Sequence, residues 1–136
     1  METLMSFSEV IGPVTYEPAQ ATINLALDPS YNLAPGNRLS LIVQATGKFD
    51  LTYSWQMRKA DDSGWLTANE SNLAVEYPDA NVLLFEPNRD NEPGQGSFMI
   101  NLISGPGPSQ MRCRVRDTDP TGEFNQKVTQ TTINYV

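Results

Sequence analysis

Histidine is missing from the 136 residues, and cysteine occurs once, at Cys113. The first absence removes the commonest general base and the commonest metal ligand together; the second forbids an intrachain disulfide. No apolar run approaches the ~18 residues that a membrane helix requires. Charged residues are scarce, 18% of the chain, too few for a disordered polyelectrolyte. Basic residues are lacking before Arg38, and Met1-Glu2-Thr3-Leu4-Met5-Ser6-Phe7 has neither a positive n-region nor an apolar h-region. The expectation is a chain with no signal peptide, made in a reducing cytoplasm. A net charge of −7 disfavours nucleic acid and anionic membrane as partners.

What is present fits one domain. Apolar residues make up 39%, enough for a single core, and 9 glycines with 10 prolines imply many turns and no long helix. Charge alternates by segment: four acids and no base over 1–37, four bases and one acid over 38–59, eight acids and one base over 60–96, four bases and three acids over 97–136. Residues 1–20 show no sustained period of 2 or 3.6, and Gly12, Pro13 and Pro18 interrupt the apolar stretch around Val10 and Ile11. They are expected to form an extended arm with a reach of ~65 Å.

From residue 21 the pattern is alternation. Ile23, Leu25 and Leu27 share one parity; Leu39, Leu41, Val43 and Ala45 share another run, with Ile42 out of step; Leu51, Tyr53, Trp55 and Met57 make a third. Asp28-Pro29-Ser30, Ala34-Pro35-Gly36-Asn37 and Gly47-Lys48 supply turn chemistry between and after these runs. Asp61-Asp62-Ser63-Gly64 reads as a hairpin turn into a short strand at Trp65-Leu66, and Leu73, Val75 and Tyr77, then Val82 to Phe85, suggest further strands. Glu86 to Gly96 reads as a loop. Phe98, Ile100 and Leu102 alternate, Gly105 to Pro108 turns, and Met111, Cys113 and Val115 alternate against Arg112, Arg114 and Arg116. A last strand from about Gln126 to Val136 changes parity between Val128 and Ile133, which predicts a bulge. Seven to nine short strands without a helical stretch make an all-β antiparallel sandwich or barrel.

Leu51-Thr52-Tyr53-Ser54-Trp55-Gln56-Met57-Arg58, followed by Met111-Arg112-Cys113-Arg114-Val115-Arg116-Asp117, resembles the strand C and strand F signatures of immunoglobulin-like domains over about residues 21–136. The family packs its core Trp against a disulfide joining strands B and F. Here Trp55 and Cys113 match, while the strand B position, Val43 or Leu41, is aliphatic and the usual Tyr two residues before the Cys is Met111. Forgoing a bridge across ~70 residues gives up roughly 4 kcal/mol, which two buried aliphatic side chains at roughly 1.5–3 kcal/mol each can offset. The likeness is to the disulfide-free branch typical of bacterial and phage modules, with fibronectin-type sandwiches as neighbours. It implies an immunoglobulin-like antiparallel β-sandwich over 21–136 with an N-terminal extended arm over 1–20.

Chemistry is weakly signalled. Cys113 shares parity with core residues and has no base beside it, so it reads as a small core hydrophobe. Asp117-Thr118-Asp119-Pro120-Thr121-Gly122-Glu123 is superficially similar to a calcium loop, but Val128 stands where a bidentate Glu belongs, and a solvated turn is expected. No cofactor and no metal are expected, and an enzyme would need Asp117 and Asp119 gathered in a pocket. Arg112, Arg114 and Arg116 emerge on one face beside Gln56 and Arg58 of strand C. They either pair across strands with Glu123 or Asp117 or dock on an acidic surface, including another copy of this chain. Trp65 either covers an end of the sandwich or stacks on sugar.

Small disulfide-free sandwiches of this kind resemble auxiliary proteins of tailed-phage virions, above all capsid decoration proteins, with tail or neck accessories next. The resemblance implies a non-enzymatic structural or binding protein located in the virion and bound to capsid or other virion subunits. The residues expected at that contact are Val10, Ile11 and Tyr16 of the arm with Arg58, Arg112, Arg114 and Arg116 of the sandwich. A surface adhesin or carbohydrate-binding module is the alternative.

Overall fold

The computed structural model describes residues 17–79, 81–85 and 95–136. Among them the chain forms β1 (Thr22–Leu25), β2 (Ser30–Leu33), β3 (Arg38–Thr46), β4 (Asp50–Arg58), β5 (Trp65–Thr67), α1 (Glu70–Glu76), β6 (Asn81–Phe85), β7 (Gln95–Ser104), β8 (Gln110–Thr118) and β9 (Phe124–Tyr135). They build two sheets, β1-β3-β7-β6 and β2-β9-β8-β4-β5, with every neighbouring pair antiparallel except β2 with β9. In immunoglobulin lettering these are A-B-E-D and G-F-C-C′ with one short strand added outside G, so the all-β immunoglobulin-like expectation holds.

Alternation explains the packing. In β3 Leu41, Val43 and Ala45 point inward, and Ile42 between them is 40% exposed. Across the sandwich Trp55, Met57, Met111, Cys113 and Val115 are buried, with Trp55 directly opposite Cys113 and Met57 opposite Met111 in the ladder. Phe98 of the facing sheet meets Trp55 with ring centroids 5.5 Å apart. No disulfide spans the sheets; Leu41 and Val43, both fully buried, help to fill the core that holds the reduced Cys113 thiol. Tyr53 lies so close over β7 that a Cβ on Gly96 would stand 2.6 Å from its ring, which explains a glycine within that strand.

Several expectations need correction. Leu73, Val75 and Tyr77 belong to α1 and its C-cap, not to a strand. Leu73 and Tyr77 lie four apart, a spacing compatible with either period; Leu73 is buried while Val75 is 75% exposed, which only the helix permits. Asn69 caps this helix, its side chain accepting from the Asn72 N–H at 2.8 Å. Ser30 is the first residue of β2, not the end of a turn, and this short strand is recruited by β9 through Thr132 to Tyr135. Gln95 and Gly96 are already strand. The last strand pairs with β8 without a register shift: Thr129 and Thr131 keep the inward parity of Ile133, so two buried threonines replace the predicted bulge. Irregularities sit instead in β6, between Asn81 and Val82, and in β1, between Ile23 and Leu25, where Leu25 is left 46% exposed rather than in the core. Of the predicted arm, Glu17 to Gln20 lies against the sandwich, Glu17 pairing with Lys48 at 3.3 Å; residues 1–16, with Val10, Ile11 and Tyr16, lie outside the described residues.

Asp117 is the largest departure. It continues the inward parity of Met111, Cys113 and Val115, is fully buried, and belongs to no solvated loop. Its carboxylate accepts from the backbone N–H groups of Gln20 (2.8 Å), Lys48 (3.0 Å) and Phe49 (2.8 Å), fastening the entering chain and the β3–β4 turn to β8. A Cβ on Gly47 would stand 2.7 Å from this carboxylate, so the turn needs glycine there. Burial works against the charge, but the three N–H donors and the Lys48 charge outweigh it and hold the carboxyl below its ordinary value.

Asp117→Ala leaves three N–H groups without their acceptor and should cost about 2–3 kcal/mol in urea unfolding at neutral pH. A carboxyl depressed in the native state stabilises fully above its unfolded pKa of ~3.9 and loses that contribution as pH falls through the native value. Asp117→Asn should therefore flatten the acid limb of the stability curve, and a limb identical to that of the parent protein would contradict this clamp.

Candidate functional site

The ladder of β4, β8 and β9 places the outward side chains of the five-stranded sheet in rows. Thr52, Arg116 and Gln126 form one row, Ser54, Arg114 and Val128 the next, and Gln56, Arg112 and Gln130 the third; Arg58 stands opposite Trp65 beyond them. The same two-residue period that buries Met111, Cys113 and Val115 thus delivers three arginines to one outer face.

Three of the four outer arginines are held by neighbouring side chains. Arg112 donates through Nε to Gln56 Oε1 at 2.7 Å and lies 4.4 Å from the centroid of the Trp65 ring, which Arg58 also overlies at 5.3 Å. Arg116 donates through Nε and a terminal nitrogen to Gln126 Oε1 at 3.3 and 3.0 Å and lies 3.9 Å from the centroid of the Phe124 ring. Arg58 makes an ion pair with Asp62 at 3.6 Å and donates to the Asp62 carbonyl. The Arg114 side chain makes no hydrogen bond or ion pair among the described residues, and its Nε is shielded from solvent without an acceptor. Burial, then the charges of Arg114 and Arg58, lowers the pKa of Arg112, as expected where cations gather without compensation.

The predicted cross-strand pairing with Asp117 or Glu123 is not what the structure holds. Asp117 faces the interior, and among the described residues no carboxylate pairs with Arg112, Arg114 or Arg116. Sequence reasoning placed the arginines, Gln56 and Arg58 on this face but missed Gln126 and Phe124, whose outward parity in β9 could have been read had Thr129 and Thr131 been counted as core. Trp65 carries the guanidinium groups of Arg58 and Arg112 against its ring.

Two other expectations resolve structurally. Cys113 is wholly buried. Asp119 does not join Asp117 in a pocket: its Oδ1 accepts from the Thr121 hydroxyl (2.6 Å), the Thr121 N–H (2.8 Å) and the Glu123 N–H (3.1 Å), organising the β8–β9 turn. Those bonds, the Thr121 hydroxyl first, hold its carboxyl below the ordinary value. Among the described residues no group of three or more His, Cys, Asp or Glu side chains gathers as a metal would require, and no helix is long and apolar enough to cross a membrane.

Neither a protein-family model nor a curated protein matches this chain. Solved structures do. Murine CRIg superposes with a TM-score of 0.56 at 13% identity, covering 86% of this chain and 98% of its own. Titin domain M7 gives 0.51 at 15% identity, covering 90% and 99%. Titin domains Z1Z2, solved in complex with telethonin, give 0.50 at 13% identity over 90% of this chain and 50% of that one. At such identities the likeness is one of fold, and it agrees with the immunoglobulin-like strand order.

With no ion pair to lose among the described residues, Arg114→Gln should change the unfolding free energy by less than about 0.5 kcal/mol. A loss several times larger in urea titration would mean that Arg114 is spent on the fold.

Proposed function

We propose that this protein is a non-enzymatic structural or binding module whose partner is another protein, and that its finer role is that of a virion auxiliary, a capsid decoration protein of the tailed-phage kind. The observation that carries the first part is the row Arg112, Arg114 and Arg116, its two ends held by Gln56 and Gln126 yet all three uncompensated by any carboxylate among the described residues, on a chain of net charge −7. Concentrating cations on one face of an acidic protein gives a partner with an acidic patch both attraction and a single orientation. A polyanion such as nucleic acid would meet the repulsion of the remaining surface.

Support for the finer role is the resemblance of a small disulfide-free sandwich to such auxiliaries, together with residues 1–16 preceding a sandwich that is already closed by Glu17 and Asp117. That leading segment would lie along capsid subunits and add buried area to the ~800 Å² per partner of an ordinary interface. The titin Z1Z2 structure with telethonin is an instance of sandwiches of this fold held in a complex with a protein. A protein decorating particles after assembly would reside in the virion and be made in the host cytoplasm.

Particles purified from infected cells should carry this chain at fixed stoichiometry by mass spectrometry. Arg112→Glu with Arg116→Glu should weaken rebinding at least about tenfold without lowering thermal stability, and binding should fall with rising salt. Deleting residues 1–16 should leave the fold intact and weaken particle binding. Unchanged rebinding by both the charge-reversed and the shortened protein would overturn the reading.

A further inference from the structure

Arg114 differs from its two neighbours in what the ladder puts beside it. Arg112 faces Gln56 across β4 and Arg116 faces Gln126 across β9, and each glutamine takes up its guanidinium. Arg114 faces Ser54 on one side and Val128 on the other, one too short and one unable to accept. An arginine carries five N–H donors in a planar fork and cannot shed its charge at ordinary pH. Such a group, half-buried between two further cations, lacks among the described residues the counter-ion that its position demands.

Beside it is a cavity of about 140 Å³ lined by Thr52, Ser54, Arg114, Arg116 and Gln126. Pockets for drug-sized ligands run to ~300–1,000 Å³, so this one has room for a small group and not for a cofactor. Its lining is two cations, two hydroxyls and an amide, with no carboxylate. That inventory offers donors to an oxyanion and repels a cation. Gln126, by fixing Arg116 from one side, and Phe124, by lying under its guanidinium, keep the second cation at the rim.

We infer that this cavity is the socket for one acidic side chain of the protein partner: an Asp or Glu carboxylate enters between Arg114 and Arg116, takes the fork of Arg114, and is flanked by the hydroxyls of Thr52 and Ser54. The inference rests on the docking reading of this face and names the residue on which that docking centres. Arg112 and Arg116 supply the surrounding field, while Arg114 supplies the specific bond. A lysine at 114 would keep the charge and lose the planar fork.

The test uses the whole chain labelled with nitrogen-15 and an oligoglutamate peptide as the probe, with oligoglutamine as the neutral control. The Arg114 Nε–H resonance is expected to shift saturably with oligoglutamate, more than those of Arg112 and Arg116, and not with oligoglutamine. Arg114→Lys should bind at least about tenfold more weakly with an unchanged backbone amide spectrum, as loss of a charge-assisted bond requires. An Arg114 resonance that stays still while its neighbours move, or an Arg114→Lys variant that binds as tightly as the parent, overturns the socket. Inorganic phosphate competing at the same resonance with equal affinity would also overturn it, by making the site one for free oxyanions. Rebinding to particles separates the two levels: if Arg112→Glu with Arg116→Glu fails to bind but Arg114→Lys binds normally, the docking face stands and the socket falls. If none of the variants affects rebinding, both fall.

Discussion

The period of two along β8 is the constraint on which the rest of this molecule hangs. Met111, Cys113, Val115 and Asp117 go in; Arg112, Arg114 and Arg116 go out. A register slip of one residue would bury three guanidinium groups and expose the core of the sandwich, so stability and surface chemistry are specified by the same backbone geometry. Because β4 and β9 flank β8 in fixed register, the neighbours of each arginine are specified too: glutamine, then serine and valine, then glutamine again.

The absence of a disulfide is met by two devices at different depths. In the middle, Trp55 packs on Phe98 from the facing sheet and stands opposite Cys113, while Leu41 and Val43 supply aliphatic bulk from β3. At one end the Asp117 carboxylate gathers three backbone donors from two other parts of the chain. A buried charge is tolerated there because its hydrogen bonds are provided by backbone already ordered by the turn and the entering strand. Tyr135, whose hydroxyl donates to the Pro108 carbonyl at 2.7 Å, closes the loop before β8, and burial raises the pKa of that hydroxyl.

Much of this was legible because apolar residues on half-buried strands announce their own parity. Leu39 to Ala45, Leu51 to Met57, Phe98 to Leu102 and Met111 to Val115 all read correctly. Polar residues at inward positions did not announce theirs. Thr129 and Thr131 look like surface and generated a false bulge; Asp117 looks like the start of a turn until its three donors are seen. Leu73 and Tyr77 satisfy two periods at once, and the local signs of a helix are confined to its start, the cap at Asn69 and the acidic Glu70. The outer face was legible as a row of arginines. Which of them lacks a partner depended on register across two strand pairs, information that exists only between segments distant in sequence.

A molecule built this way separates holding from binding residue by residue along one strand, and chemical labelling of the native protein reads that separation most directly. Phenylglyoxal should modify Arg114 while iodoacetamide leaves the adjacent Cys113 untouched until denaturant is added, since that thiol is wholly buried. Alkylation of Cys113 in the folded protein, or protection of Arg114 there, would contradict the account.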